Sequence, residues 1–322
     1  MNSSNSFTGS GSSHHKFSGT HYVVSEDVDI LINRWCRKAK LIPPGEVSYL
    51  IARAKMKDFL ENIFARVTFI PGQEIREGLL ESVAKYKADG LSVVTLERAY
   101  LEDDEVDGRI ELTRAVDSDG GKIEKLFPRH GAVSKIAQYN RLRGKEVALI
   151  DDVVFTGGTL IETICELHQR RVSVHAVTSA IGVAKGVGNL KSQGFHVIGQ
   201  PEHMLIDCIE EFEHLTDQIC ERDFYPGVPY SGREHFGSEN LSFPYVLPFG
   251  RILEWATIGE KVNKQFSVLC LDNTIALFEE IEKTNNIRLS CSDVPRPVFG
   301  SPKDGTRFVD FLKASKESLL KT

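Results

Sequence analysis

Between residues 67 and 199, short apolar runs rich in β-branched residues alternate with longer segments whose apolar positions recur every three or four residues. VTFIPG (67–72), LSVVTL (91–96), KEVALI (145–150), VSVHAVTSAIGV (172–183) and FHVIG (195–199) read as strands. IREGLLESVAKYKADG (75–90), GAVSKIAQYNRLRG (131–144), TLIETICELHQRR (159–171) and a short VGNLKSQG segment read as helices. A strand that is apolar along its length needs cover on both faces, and strands separated by helices pair in parallel. The chain is therefore expected to fold as an α/β protein, a parallel sheet with helices on both faces.

The flanking segments elaborate that unit. The opening MNSSNSFTGSGSSHHKFSGT is Ser/Gly/Asn-rich, and residues 1–22 are expected to be a disordered tail. SEDVDILINRWCRKAKLI and EVSYLIARAKMKDFLENIF (46–64) predict two N-terminal helices within an α/β domain spanning 23–200. Residues 97–130 mix charges with DG and DGG turn signals and predict a mobile hairpin or long loop. Residues 201–322 are expected to form a mainly helical C-terminal extension or small second domain, with helices over 204–222, 270–286 and 304–321.

Charge and cysteine content narrow the function classes. Thirty-nine Lys+Arg against forty-five Asp+Glu leave a net charge of −6, which gives no basic footprint, so no nucleic-acid partner is expected. The six cysteines, at 36, 165, 208, 220, 270 and 291, form no C-x2-C pair. Structural zinc and disulfide stapling are not expected, and a reducing cytoplasm is the default setting. No run of eighteen apolar residues and no apolar leader core is present, so no membrane association is expected.

The chemistry concentrates in VALIDDVVFTGGT (147–159): four apolar residues, two consecutive acids, then a Gly-Gly loop bracketed by threonines that leads into a helix. At the carboxyl edge of a parallel sheet, the strand-to-helix loop is where ligands bind. Gly157 and Gly158 let backbone N–H groups wrap an anion, Thr156 and Thr159 add hydroxyl donors, and the following helix contributes its positive N-terminal end. Asp151 and Asp152 beside a bound monophosphate suit sugar hydroxyls and a hydrated Mg2+.

This stretch resembles, without a gap, the PRPP motif of the type I phosphoribosyltransferases, and the surrounding β-α-β order extends the resemblance over roughly residues 65–200. It implies that Asp151 and Asp152 hold the ribose hydroxyls as the catalytic acids. Phe155, Thr156, Gly157, Gly158 and Thr159 would cradle the 5-phosphate, with Mg2+ held indirectly through PRPP and the two acids. The implied reaction is transfer of the 5-phosphoribosyl group to a small-molecule nitrogen acceptor, a nucleobase or related amine, with release of pyrophosphate. A homodimer is a possible assembly.

Phe155 stands where hypoxanthine-type members carry an acid, which argues against that specificity. The family's pyrophosphate loop corresponds to Glu97-Arg98-Ala99, where Arg98 is the candidate ligand and Glu97 is unfavourable. Lys122, Lys125, Arg129 and His130 are candidates to close over the site. RDFYPGVPYSGR (222–233), with Tyr225 and Arg233, is a candidate acceptor wall. The alternative is a non-catalytic regulator that senses PRPP or a nucleotide on the same fold. LCLDNT (269–274) lacks the second acid of a phosphoryl-transfer motif, and Asp272 is expected to cap the helix after it.

Overall fold

The computed structural model describes residues 17–118, 120–193, 204–212, 220–222, 233–235, 239–252, 258–294 and 296–321. In chain order the first half comprises β1 (Phe17–Glu26), α1 (Val28–Ala39), α2 (Glu46–Ile63), β2 (Phe64–Pro71), α3 (Gly72–Ala88), β3 (Ser92–Thr95), β4 (Gly108–Arg109), β5 (Leu112–Val116), β6 (Lys122–Pro128) and α4 (Lys135–Asn140). There follow β7 (Glu146–Val154), α5 (Gly158–Gln169), β8 (Ser173–Val183), α6 (Ala184–Ser192), β9 (Leu205–Phe212), β10 (Cys220–Arg222), β11 (Arg233–Glu234), β12 (Ser242–Phe243), α7 (Glu260–Asn285) and α8 (Phe308–Lys321).

The main sheet has five parallel strands in the order β4-β3-β7-β8-β9. Consecutive apolar residues in its central strands, Val93–Val94 of β3 and Val147–Ile150 of β7, are buried because each face is covered. Ala148 and Ile150 of β7 pack with Val93 and Ala176 under Leu79 and Val83 of α3, in a core that extends to α1, α7 and α8. Val147 and Leu149 point the other way, against Leu160 and Ile164 of α5 and Val187 and Leu190 of α6. The α/β expectation, a parallel sheet with helices on both faces, describes this architecture, and α7 and α8 supply the helical C-terminal part.

Three segments differ from the sequence reading. Residues 204–222, expected as one amphipathic helix, instead contain β9, which pairs in parallel with β8, and β10, which pairs in parallel with β1. The tail expected over 1–22 gives way at Phe17 to β1, the middle strand of a second parallel sheet, β10-β1-β2. Asp272 does not cap a helix: α7 begins at Glu260, and Asp272 lies in its interior with its carboxylate 2.5 Å from Nζ of Lys316. The stretch 97–130 does contain a hairpin, antiparallel β5 and β6. The strand expected at 195–199 lies outside the described residues.

Phe278 of α7 is fully buried, stacked 5.5 Å from Trp35 of α1 and 4.8 Å edge-on from Phe308 of α8. Because α1 and the C-terminal helices share this ring cluster, Phe278→Ala is expected to cost about 3–5 kcal/mol of stability. Urea unfolding measures it, and a change below about 1 kcal/mol, the size of an ordinary surface effect, would contradict a shared core.

Candidate functional site

The chain departs from β3 in two directions: β4 lies on one side of it, and β7 then enters on the other and continues outward to β8 and β9. Such a reversal opens a crevice at the carboxyl ends of the two strands where it occurs. The β3–β7 ladder ends with Thr95 opposite Ile150, whereas β7 stays paired with β8 as far as Val154. From Asp151 onward, β7 therefore has a neighbouring strand on one side only, and the other side faces the segment that follows β3.

Both acids stand at this point. Asp151 is 8% exposed, and its carboxylate accepts the N–H of Asp152 at 3.0 Å. Asp152 is partly buried. The strand turns as it passes them. Before the acids Ile150 belongs to the α3-side core, and after them Val154 belongs to the α5-side core while Val153 packs toward α3. Strict alternation would have placed Val153 and Val154 the other way round.

Past Val154, the chain enters α5 through Gly157 at φ +77°, a left-handed conformation that glycine tolerates without strain. Gly157 is the N-cap of α5 and has no side chain with which to cap it; the N–H of Gly158 donates to the Thr156 hydroxyl at 3.4 Å. The first turn thus presents its N–H groups and the positive end of the helix dipole at the crevice. Thr156 is exposed, and its hydroxyl lies 3.4 Å from the Gly158 amide. Gly186 of α6 backs the loop: a Cβ there would come within 2.2 Å of the Phe155 carbonyl oxygen, so only glycine permits this approach. Asn189 Nδ2 donates to the Thr156 carbonyl at 3.1 Å. The Phe155 ring packs against the α3-side core, leaving its backbone for the loop.

One cation stands over this loop that sequence reasoning missed. Arg114 of β5 brings its guanidinium against Gly158: a Cβ on that glycine would lie 3.5 Å from Nη2. Arg114 is tied to its own hairpin through the Glu124 carbonyl. Only the weak alternation of RIELTRAV hinted at an arginine held on a strand, and nothing in the sequence told which loop it would reach.

The remaining sequence candidates divide. Arg98 follows β3, and its Nη2 lies 3.7 Å from Glu111 Oε1. Arg129 is drawn into an internal cluster, 3.2 Å from Glu234 Oε1, which Arg296 also approaches at 3.2 Å. Desolvation, aided by the positive charges of Arg98 and Arg296, brings the Arg129 guanidinium down to about 10 against the pull of Glu234. Burial pushes the Glu234 carboxyl up, yet Arg129 and Arg296 hold it below its usual range. His130 is exposed, and its backbone N–H also donates to Glu234. Lys125 lies 5.7 Å from the Phe127 ring on the hairpin. Arg233 is on β11, which packs beside β5 and pairs with β12. The Lys122 side chain and Tyr225 lie outside the described residues.

No family model matches the chain, and no curated protein matches it either. Solved structures that resemble it include an adenine phosphoribosyltransferase from Giardia lamblia bound to 9-deazaadenine, at 17% identity over 44% of this chain and 78% of that one, TM-score 0.27. The adenine phosphoribosyltransferase of Leishmania tarentolae overlaps 46% of this chain and 74% of its own at 17% identity, TM-score 0.29. The hypoxanthine phosphoribosyltransferase of Trypanosoma cruzi, complexed with IMP, overlaps 44% and 73% at 15% identity, TM-score 0.25. Such values are too low to carry an activity or substrate from those enzymes to this chain.

The loop geometry separates its two glycines. Gly157→Ala is expected to cost about 1–2 kcal/mol, the penalty of an L-residue in the left-handed region. Gly158→Ala meets only ordinary contacts at 3.5 and 3.6 Å and is expected to leave stability unchanged. Equal unfolding midpoints for the two variants would contradict the loop conformation.

Proposed function

We propose that the crevice between β3 and β7 binds a 5-phosphoribosyl ligand, with the 5-phosphate on residues 155–159 and the ribose 2′- and 3′-hydroxyls on Asp151 and Asp152. The observation that carries this reading is a juxtaposition at the switch point of the sheet. An α5 N-terminus whose N-cap, left-handed Gly157, has no side chain, faced by Arg114, begins six residues beyond two adjacent acids. Converging backbone donors and one guanidinium suit a phosphate monoester. Carboxylates accept hydrogen bonds from sugar hydroxyls.

With PRPP as the ligand, the activity is phosphoribosyl transfer. A nitrogen acceptor attacks C1, the bond from C1 to the diphosphate breaks, and the acceptor loses its N–H proton. The protein's part is to position the ribose and stabilise an oxocarbenium-like transition state. Among the described residues no group of three His, Cys, Asp or Glu could hold a metal. The two adjacent carboxylates nevertheless fit Mg2+, which characteristically keeps waters and shares oxygens with a phosphorylated ligand. Asp151 and Asp152 would hold it, and it would offset charge on the leaving diphosphate.

A second reading, a non-catalytic sensor of a phosphoribosyl ligand, is favoured by one observation: the loop after β3 has its backbone donors engaged by the Glu97 side chain. Release of pyrophosphate from PRPP in the presence of nucleobases or other amines supports the enzyme, and binding without release supports the sensor.

The double substitution Asp151→Asn and Asp152→Asn is expected to weaken ribose 5-phosphate binding by about tenfold or more, the worth of a charge-assisted hydrogen bond. The unfolding midpoint should stay unchanged, and calorimetric titration reads the affinity. Equal affinity in the folded variant would remove the acids from the site. Arg114→Ala is expected to weaken the same ligand and to flatten the salt dependence of its binding, whereas a salt slope identical to wild type would place Arg114 outside the phosphate contact.

A further inference from the structure

A surface helix ordinarily turns one apolar stripe inward and a charged face outward. The outward faces of α3, with Glu74, Glu77, Glu81 and Lys85, and of α8, with Asp310, Lys313 and Glu317, follow that rule. The helix α2 does not. Its inward stripe, Tyr49, Ala52, Met56, Leu60 and Ile63, is buried. A second stripe, Val47, Leu50, Ile51 and Ala54, recurs at i, i+3, i+4 and i+7 on the exposed side, and Asp58 and Glu61 end it toward the C-terminus. Val47 is 67% exposed, Leu50 54% and Ile51 51%, and Ile42, just before the helix, is 58% exposed. Single exposed aliphatic residues are ordinary on any surface, whereas a contiguous group of them marks a contact site.

The start of this face is fixed in place by α7. The Asn285 side chain clamps Ile42 from both sides, its Oδ1 accepting the Ile42 N–H and its Nδ2 donating to the Ile42 carbonyl, each at 2.8 Å. Glu280 accepts the Gly45 N–H at 2.8 Å and the Ser48 hydroxyl. A face already ordered in this way loses little conformational entropy when it is covered.

The charges beside the stripe suit a second copy of the same chain. The middle of the stripe falls between Leu50 and Ile51. A two-fold axis at that point packs α2 antiparallel against α2 of the second copy, so that Leu50 and Ile51 meet their own counterparts and Val47 meets the small Ala54. Glu46 and Lys57 are both exposed and stand about three turns apart, on the same edge of the stripe and at opposite ends of it. Reversal of the second helix brings Glu46 opposite Lys57 of the second copy, and symmetry makes the pairing twice. Lys57 lies 3.9 Å from Glu61 of its own helix, so it would stand between two carboxylates. We propose that this face of α2 is an isologous interface between two copies of the chain. One helix pair lies at the small end of stable interfaces, which bury about 800 Å² per partner, so a dissociation constant on the order of 10 µM is expected.

The test is sedimentation equilibrium of the full chain between about 1 and 100 µM, a range over which wild type is expected to pass from monomer to dimer. Leu50→Glu sets like charges together at the axis and is expected to weaken the dimer about tenfold or more, with the circular dichroism of wild type retained because the residue is exposed. Glu46→Lys alone is expected to weaken it about threefold, and Glu46→Lys combined with Lys57→Glu, which exchanges the two charges, to restore it to within about twofold. A chain that remains monomeric at the highest concentration overturns the proposal and leaves the stripe to a different protein. A dimer indifferent to Leu50→Glu also overturns it, by placing the interface elsewhere. Failure of the charge exchange to restore association overturns the antiparallel pairing.

Discussion

The separation of β3 from β7 after Thr95 and Ile150 sets the rest of the site. While the two strands are paired, their backbone groups satisfy one another and their side chains enter the two cores. Once the ladder stops, each chain must find new partners for its N–H and C=O groups, because buried backbone polar groups left unpaired are costly. The two segments solve this in opposite ways. The segment after β7 turns through Gly157 into α5 and leaves its first turn at the crevice with only the exposed Thr156 hydroxyl taking one of its donors, that of Gly158. The segment after β3 turns inward and consumes its donors on Glu97.

That contrast has an energetic basis. A buried N–H without an acceptor costs about 1–3 kcal/mol, so three at once would be a large fraction of a domain's net stability. Residues 99–101 are buried in the core shared with α1 and α3, and a carboxylate two to four positions back accepts all three N–H groups. The α5 turn faces no such demand: Thr156 is exposed, and solvent or a ligand can serve its donors. Burial on one wall and exposure on the other make the crevice asymmetric, with its anion-accepting groups concentrated at the α5 side and around Arg114.

Much of the fold could be read in the sequence because fully apolar runs such as VALI admit few alternatives to a strand covered on both faces. The acid pair and the glycine loop were equally legible, since left-handed backbone at a strand-to-helix turn favours glycine. Residues 204–222 were not. Their apolar positions, among them Leu205, Ile206, Cys208 and Phe212, fit a helical spacing, and the segment is rich in Glu, a good helix former. The open edge of β8 decided the matter by supplying a ladder of backbone partners, a non-local fact that no window of sequence contains. The same holds for β1: FSGTHYVV is polar enough to pass for a tail, yet it is flanked by strands on both sides.

Glu97 shows where residue type alone stops being informative. As a letter beside Arg98 it merely weakens a resemblance to an anion-binding loop. As a folded residue it supplies the anion. The distinction depends on the backbone closing back on the side chain, and that closure is held by arginines from three places in the chain: Arg34 on α1, Arg76 on α3 and Arg109 on β4. Each is brought to the turn by tertiary packing rather than by local sequence. Removing the Glu97 side chain would leave the three buried N–H groups of residues 99–101 without their acceptor even with the arginines in place. The turn is thus held from both sides, its N–H groups by the Glu97 carboxylate and its carbonyls by the arginines.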